Sequence, residues 1–309
     1  MKIVRIILIL SVIGLLFVCA IYFIMGARQE TATLDEQVLR QAPGKFIALK
    51  YGLVHYRLEG PDTGKLVLLI PGGGISGCEI FDKITPKLHS NGYRTLTYDL
   101  YGRGYSPRLN LDHSPELFQE QLNQLLDTLN VNETIHIVAM SMGAIIGTDF
   151  ATQHQDRVDK FVLIDPSLAG QFTPNIALRT PVVSDFLMTV YWYPRALENQ
   201  RKEFVSMQVF EEYKIRAEYF MNFEGYKHTN YSTWFHMLNQ NKLGLLSQMH
   251  ADKILLLYGE QDLYFPKDMV NLFQSHYPSL KSESISLAGH LPHYENPEAI
   301  LKSILEYFH

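Results

Sequence analysis

The sequence has little cysteine and no block of basic residues. Only 2 of its 309 residues are cysteines, and Cys19 lies inside an apolar stretch, so an intramolecular disulfide with Cys78 is not expected. The fold must therefore depend on its hydrophobic core rather than on disulfides. Lysine and arginine are scattered and the formal net charge is −5, so nothing indicates a nucleic-acid partner.

Charge is also absent from one long segment at the N-terminus. No charged side chain occurs between Ile6 and Ala27, which is enough for a membrane-spanning helix of about 20 residues. Residues 1–27 are predicted to be a retained anchor, because the apolar core of a signal peptide is usually only about 7–15 residues. Lys2 and Arg5 favour a cytoplasmic N-terminus, with the rest of the chain on the outer, periplasmic or extracytoplasmic side. The alternative is a signal peptide, whose cleavage after about Ala27 would give a secreted protein.

The remaining chain divides into a short polar segment and one large domain. Residues 28–43 are predicted to be a juxtamembrane spacer. From residue 44 to residue 309, a β-hairpin pattern around Gly52 is followed by apolar runs of strand length that alternate with helical segments. This alternation is typical of a mostly parallel sheet covered by helices. After the hairpin, the predicted strands are Leu66–Ile70, Arg94–Asp99, Thr134–Met140, Lys160–Asp165, Lys253–Gly259 and Ser284–Ala288.

The alternation is interrupted at approximately residues 166–250. No strand pattern of comparable quality occurs there, and Arg195–Phe223 has a helical mixture of charged and aromatic residues. Because a structureless loop of this length is uncommon, the segment is predicted to be a helical lid or cap. It contains both tryptophans, Trp192 and Trp234, and so has enough apolar surface to cover a pocket.

A serine stands at the end of one predicted strand. Ser141-Met142-Gly143 follows Met140 and leads directly into a helical pattern. At such a turn a serine hydroxyl is exposed above the sheet, as in a nucleophile elbow, although Ala139 replaces the first glycine of the usual Gly-x-Ser-x-Gly. Serine is also a preferred helix N-cap, so this turn alone leaves both interpretations open.

Two more loops follow predicted strands. Pro71-Gly72-Gly73-Gly74 comes after Leu66–Ile70, and its glycines allow backbone N–H groups to point at a reacting carbon. A phosphate-binding loop would need a Gly-Lys-Ser/Thr ending, which Gly77-Cys78-Glu79 does not supply. The next strand is followed by Asp99-Leu100-Tyr101-Gly102-Arg103-Gly104-Tyr105-Ser106.

Taken in order, these loops resemble those of the α/β-hydrolase fold family, and of its serine esterase and lipase-like members in particular. The segment from Asp99 to Ser106 is similar to the family's Asp-x-x-Gly-x-Gly-x-Ser loop. Farther along the chain, residues 259–266 resemble its acid loop and residues 288–297 its histidine loop. The resemblance covers about residues 44–309 apart from the insertion, and it implies an α/β fold with helices on both faces of the sheet.

The resemblance also implies the catalytic roles. Ser141 corresponds to the nucleophile, Asp262 to the acid and His290 to the base, in the family's chain order. The N–H groups of Met142 and Gly73 correspond to the oxyanion hole, the second through an alignment of Pro71-Gly72 with the family's His-Gly. No metal or organic cofactor is implied.

Two of these roles have rivals in the sequence. Asp165 also ends a predicted strand, where some family members carry the acid, but the loop around Asp262 matches better. His293 lies three residues beyond His290, but in the family's Gly-His loop the histidine after glycine is the base. We therefore expect Asp262 and His290 to act.

The family that the sequence resembles includes enzymes with several different reactions, which are the alternatives for function. A serine at the elbow argues against haloalkane dehalogenases and epoxide hydrolases, which use aspartate there. Membrane attachment and an aromatic lid favour a small-molecule or lipid-like carboxylic ester with an apolar acyl chain, such as a monoacylglycerol. A carbon–carbon bond hydrolase, a perhydrolase and a non-catalytic ligand-binding protein are the alternatives. The sequence does not indicate the oligomeric state.

Overall fold

The computed structural model describes residues 1–170, 172–173 and 180–309. Its first element is helix α1 (Lys2–Gly26), which is mostly apolar and has no buried residue. By length and composition this helix is a candidate membrane span or signal sequence. The segment predicted as a spacer contains a short helix, α2 (Glu36–Gln41), whose N-terminus is capped by the Asp35 carboxylate.

In the part of the chain that the structure describes, eight strands form a single sheet. They are β1 (Lys45–Leu49), β2 (Gly52–Glu59), β3 (Lys65–Ile70), β4 (Tyr93–Tyr98), β5 (Ile135–Met140), β6 (Val158–Ile164), β7 (Ile254–Gly259) and β8 (Lys281–Ile285). The strand order is β1-β2-β4-β3-β5-β6-β7-β8. The pairs β1-β2 and β2-β4 are antiparallel. The other five pairs, from β4-β3 to β7-β8 in this order, are parallel. The carboxyl ends of the parallel strands therefore meet at one edge of the sheet, where ligands bind in such folds.

Helices cover both faces of this sheet. They are α3 (Thr85–Ser90), α4 (Pro115–Thr128), α5 (Gly143–Gln153), α6 (Pro181–Leu187), α7 (Tyr193–Arg201), α8 (Met207–Met221), α9 (Tyr226–His236), α10 (Lys267–His276), α11 (Pro292–Glu295) and α12 (Pro297–Phe308). Along β3, Leu66 and Leu68 pack into one core with α4, α5 and α10, whereas Val67 and Leu69 pack into a second core with α3 and α12. This alternation follows from the two-residue period of a strand. The predicted helix caps are present, since Ser114 and Asn296 accept the first-turn N–H groups of α4 and α12.

Among the described residues between β6 and β7 there are four α-helices, α6 to α9. A π-helical segment, Met188–Trp192, joins α6 to α7. The segment Arg195–Phe223, expected to be helical, is divided in two because α7 ends at Arg201 and Ser206 caps α8. We call the structure formed by α6 to α9 the cap.

The prediction for the last strand is wrong in its position. The structure places β8 at Lys281–Ile285 rather than at Ser284–Ala288, and the chain turns at Leu287 with φ of +55°. β8 is an edge strand with most of its side chains exposed, so it has no continuous apolar run. The apolar residues that suggested a strand belong instead to the turn that follows it.

Candidate active site

Ser141 occupies a strained turn between β5 and α5. Its φ of +49° is in the left-handed region, which is uncommon for a residue with a side chain. The turn is tight enough that a Cβ atom on Gly143 would lie 2.5 Å from the carbonyl oxygen of Pro71. Ala139 is accommodated at the first glycine position by another glycine, because a Cβ on Gly147 of α5 would lie 3.0 Å from the Ala139 methyl group.

A continuous hydrogen-bonded chain links Ser141, His290 and Asp262. The Ser141 Oγ is 2.9 Å from His290 Nε2, and His290 Nδ1 is 2.6 Å from Asp262 Oδ2. The other carboxylate oxygen of Asp262 accepts the N–H of Tyr264 at 2.7 Å. The three residues come from the ends of β5, β7 and β8, so the topology of the sheet brings distant parts of the chain into one site.

Asp165, the rival acid, lies beside Asp262 and makes no hydrogen bond to His290. It follows β6 with φ of +42°, and its Oδ1 accepts the N–H of Gly259 at 3.0 Å. Burial, reinforced by the charge of Asp262, raises the pKa of Asp165 well above its usual value. This shift favours the protonated form of Asp165, which can donate a hydrogen bond to the ionised Asp262.

Electrostatic coupling shifts the pKa values of Asp262 and His290 in opposite directions. Burial alone would raise the pKa of Asp262, but the charge and hydrogen bond of His290 outweigh it and lower that pKa. Burial alone would lower the pKa of His290, but the charge and hydrogen bond of Asp262 raise it above its usual value. The site thus favours an imidazolium held against a carboxylate.

Two backbone N–H groups lie next to the serine with no internal partner. Gly73 and Met142 line the same cavity as Ser141, and within the described part of the chain their N–H groups donate no hydrogen bond. Met142 also precedes the first turn of α5, where the helix dipole favours negative charge. Both groups are therefore available to a developing oxyanion.

His293 is separated from the serine. It is completely buried and its ring packs on Phe81 with a centroid distance of 5.2 Å. Burial, followed by the charge of His290, lowers the pKa of His293 to about 3. Its ring is thus a neutral part of the core.

The cavity above Ser141 has a volume of about 480 Å³, a size typical of small-molecule sites. Much of its wall is apolar and comes from the cap, where Trp192 and Trp234 pack edge to face at 5.7 Å between ring centroids. The wall also has polar residues, which include Asn199, Gln200, Glu203, Tyr213 and Asn230, and Glu203 is the one bonded to the backbone of His290.

Two groups of buried side chains bring possible metal ligands together in the described residues. One is Asp165, Asp262 and His290, and the other is His55, Cys78 and Asp99. Both ring nitrogens of His290 already have partners, and those of His55 contact Asp99 and the carbonyl oxygen of Pro43. Neither histidine offers a free nitrogen to an ion.

Some residues of the site were not foreseen from the sequence. Ser167 Oγ lies 3.3 Å from Ser141 Oγ, and Glu203 of the cap accepts the N–H of His290 through its backbone carbonyl at 2.8 Å. Glu295 accepts backbone N–H groups of Val205, Ser206 and Gly289. Only Glu295 has a sequence signal, the Glu-x-Pro that precedes the last helix; the position of Glu203 depends on how the cap folds over the sheet.

The same architecture occurs in known proteins. A family model described as the alpha/beta hydrolase fold matches residues 65–210. The pimeloyl-[acyl-carrier protein] methyl ester esterase of Aeromonas hydrophila is 24% identical over 81% of this chain and 96% of its own length. The 2-hydroxy-6-oxononadienedioate/2-hydroxy-6-oxononatrienedioate hydrolase 2 of Pseudomonas putida is 24% identical over 82% of this chain and 91% of its own. A crystal structure of a hydrolase from Pseudomonas aeruginosa PA01 aligns with a TM-score of 0.71 at 20% identity, covering 87% of this chain and 99% of that one.

The parallel sheet, the serine turn after β5 and the helical cap after β6 define an α/β-hydrolase fold. The family model's match to residues 65–210 and the likeness to a solved hydrolase structure agree with this fold.

Proposed function

We propose that this protein is a serine esterase that acts on a carboxylic ester with an apolar acyl chain. The observation that carries the proposal is the hydrogen-bonded chain of Ser141, His290 and Asp262, with distances of 2.9 and 2.6 Å, at the floor of a largely apolar cavity. Relatives named as esterases and hydrolases support the same reaction class.

In this proposal Ser141 attacks the acyl carbon while His290 Nε2 takes its proton. Asp262 orients the ring and stabilises the imidazolium that forms. The N–H groups of Met142 and Gly73 stabilise the negative charge on the acyl oxygen. His290 then gives the proton to the leaving alkoxide, and water releases the acyl group by the reverse sequence of proton transfers, with His290 again as base.

The character of the cavity favours an ester over the main enzymatic alternative. A carbon–carbon bond hydrolase that acts on a dioate, as the name of the Pseudomonas putida relative indicates, has to accommodate two carboxylates. None of the described residues that line the cavity is a lysine or an arginine, and one of them is the acidic Glu203. The apolar wall around Trp192 and Trp234 suits an acyl chain instead.

The test is hydrolysis of esters of graded acyl-chain length by the full-length protein in detergent micelles. We expect turnover that increases with chain length until the cavity is filled, and a loss of about a thousandfold or more in kcat in Ser141→Ala with unchanged thermal stability. Near-parental turnover in Ser141→Ala would remove the serine from its role. A folded protein that hydrolyses none of the esters would favour a non-catalytic ligand-binding protein.

We also propose that α1 is a retained membrane anchor with its N-terminus in the cytoplasm and the hydrolase domain on the outer side. Besides Lys2 and Arg5 before the helix, contacts between its end and the cap support retention. Tyr22 donates a hydrogen bond to Asp185 and stacks on Phe186, with ring centroids 6.1 Å apart.

The chain beyond α1 continues this contact with the cap. Gln29 is buried and donates to the carbonyl oxygen of Thr189 at 2.8 Å, and Glu30 forms an ion pair with Lys227 at 3.3 Å. Ala32 exchanges backbone hydrogen bonds with Asn222 and Glu224. The chain that begins two residues beyond Ala27 is therefore packed on the cap in the folded protein.

Membrane attachment is tested by fractionation and intact mass measurement. The full chain should remain in the membrane pellet after a carbonate wash and retain its first 27 residues. Deletion of Met1–Ala27 should give a soluble domain that still hydrolyses a short ester, because every proposed catalytic residue lies beyond it. A soluble mature protein that begins near Arg28 would favour the signal-peptide alternative.

A further inference from the structure

The end of the cavity beside His290 has polar groups on an otherwise apolar surface. Gln200, near the end of α7, and Glu203, two residues after α7, both line the cavity together with His290. The backbone of Glu203 is bonded directly to that of His290, so the two residues are neighbours. The Glu203 carboxylate also acts on the ionisation of Tyr213, Tyr226 and Tyr264, three further residues of the cavity wall.

Two hydrogen-bond acceptors at this end have no donor. The Oε1 atom of Gln200 is buried and has no partner among the described residues, while its Nε2 donates to the Tyr213 hydroxyl at 3.1 Å. The Glu203 carboxylate forms neither an ion pair nor a hydrogen bond within residues 1–170, 172–173 and 180–309. Because a buried acceptor is normally satisfied, the Gln200 oxygen is matched to a donor that arrives with a ligand, and the carboxylate of the half-buried Glu203 beside it is open to the same donor.

The position of the pair assigns it to one part of an ester. The nitrogen that receives the proton from Ser141 is His290 Nε2, and the same nitrogen returns that proton to the leaving oxygen. The alcohol part of the substrate therefore lies next to His290. Gln200 and Glu203, on the same side, lie next to the alcohol part rather than at the far end of the acyl chain.

We propose that the alcohol part of the substrate carries a second hydroxyl group, which donates to Glu203 and Gln200. The substrate class is then a partial ester of a diol or polyol with an apolar acyl chain. This inference rests on the esterase function proposed above and specifies its substrate.

Charge complementarity excludes the other polar groups. Burial raises the pKa of Glu203 to about 7, so the carboxyl ionises readily around neutral pH when a donor approaches it. A carboxylate on the alcohol would face repulsion from it. An ammonium group would face His290, which becomes positively charged in each half-reaction. A neutral hydroxyl group avoids both penalties.

The test compares three octanoate esters that differ only at the end of the alcohol: those of 1-propanol, 1,3-propanediol and 3-hydroxypropanoic acid. Relative kcat/KM values are measured in competition with the full-length protein in detergent micelles. We expect the kcat/KM of the hydroxyl-bearing ester to be about tenfold higher than that of the propyl ester, which corresponds to one hydrogen bond to a charged group. The kcat/KM of the carboxylate-bearing ester should be about tenfold lower than that of the propyl ester.

Variants distinguish an effect on the proposed subsite from a general effect on activity. The ratio of the kcat/KM values of two esters is measured for each variant, because a change in the chemistry that both esters share leaves this ratio unchanged. Glu203→Gln should raise the carboxylate-to-propyl ratio about tenfold, and Gln200→Met should lower the hydroxyl-to-propyl ratio several-fold. Glu198→Gln is the matched control, because Glu198 is exposed on α7 and does not line the cavity. It should leave both ratios unchanged.

The outcomes distinguish the two proposals. Hydrolysis of all three esters with equal efficiency, or ratios in Glu203→Gln equal to those of the parent, would overturn the hydroxyl subsite and leave the esterase function intact. Turnover of none of the three esters by folded protein would overturn both.

Discussion

At the scale of single residues, Asp262 and Asp165 occupy one buried site but their pKa values are shifted in opposite directions. The pKa of Asp262, the partner of His290, is lowered, whereas burial raises that of Asp165 and favours the protonated form that can donate to Asp262. The carboxyl pair resembles coupled acids elsewhere, in which one proton is shared because two adjacent charges repel.

The first prediction concerns this pair. Asp262→Asn should lower kcat/KM by about a thousandfold or more, since an amide neither stabilises the imidazolium nor selects the required tautomer. Asp165→Asn should stay within about tenfold of the parent, because its amide still donates to Asp262. Both variants are measured on one activated ester, and the reverse ranking would assign the acid to the end of β6.

The pH dependence of activity is the second prediction. His290 acts as a base only when neutral, so kcat/KM should fall as pH drops through its pKa, which lies above the usual value of about 6.5. In Asp262→Asn the charge that raises the pKa of His290 is removed, while the burial that lowers this pKa remains. The acid limb of the residual activity should therefore move to lower pH. A limb at the same pH in both proteins would contradict this account of the histidine's pKa.

At the scale of elements, one carboxylate joins the cap to the histidine loop. Glu295 Oε1 accepts the N–H groups of Val205 and Ser206, both at 2.8 Å, and its Oε2 accepts that of Gly289 at 2.7 Å. The start of α8 and the residue before His290 are thereby held by the same side chain. This contact fixes the position of the cap relative to the loop that carries His290, although the two are distant in sequence.

Replacement of that carboxylate gives the third prediction. In Glu295→Gln an N–H₂ group would face a backbone N–H on one side, so the variant should lose about 1–3 kcal/mol of stability and part of its kcat/KM. Glu306→Gln, an exposed change on α12, should stay within about 0.5 kcal/mol of the parent. Chemical denaturation of the three proteins in the same detergent measures the difference, and equal stability of both variants would refute the role of Glu295.

What the sequence predicts at this scale depends on burial. β3 and β5 are predicted well because central parallel strands are continuous apolar runs, and the loops after them follow from their glycines. β8 is misplaced because an edge strand with polar residues has no such run. Glu203 has no sequence signal at all, since its place beside His290 depends on tertiary packing between the cap and the last loop.

At the scale of the whole molecule, three buried histidines are neutral in the folded state. Burial, the largest cause in each case, lowers the pKa of His113 to about 3, of His136 to about 4 and of His293 to about 3. The unfolded chain takes up these protons near pH 6.5, so the folded state loses stability as pH falls from 6.5 toward 4. His55 and His290, whose pKa values are raised, do not offset this loss, because their stabilisation is already fully present below pH 6.5 and decreases only at higher pH. Asp165 and Glu203 offset part of it, because their raised pKa values let the folded state hold protons that the unfolded chain has released.

The fourth prediction concerns the histidine part of this acid destabilisation. Each neutral buried histidine contributes up to about 1.4 kcal/mol per pH unit between pH 6 and 5. His136→Phe, whose ring would keep the stacking on Phe308 seen at 4.2 Å, should remove about one proton from the slope of stability against pH. Urea denaturation midpoints from pH 7.5 to 5 measure it, and equal slopes in His136→Phe and the parent would contradict the neutral state of His136.

The central claim is that Ser141 is the nucleophile of an acylation site built by residues from three strand ends. The most direct measurement is covalent labelling by a fluorophosphonate, followed by intact mass determination and peptide mapping. We predict one adduct per chain, located on Ser141, no adduct in Ser141→Ala, and a labelling rate reduced by at least about a hundredfold in His290→Gln but only modestly in His293→Gln. Ser167→Ala, which removes the neighbouring hydroxyl 3.3 Å away, should be labelled at Ser141 at nearly the parental rate. An adduct on another residue, or equal initial labelling rates in His290→Gln and the parent, would contradict the claim.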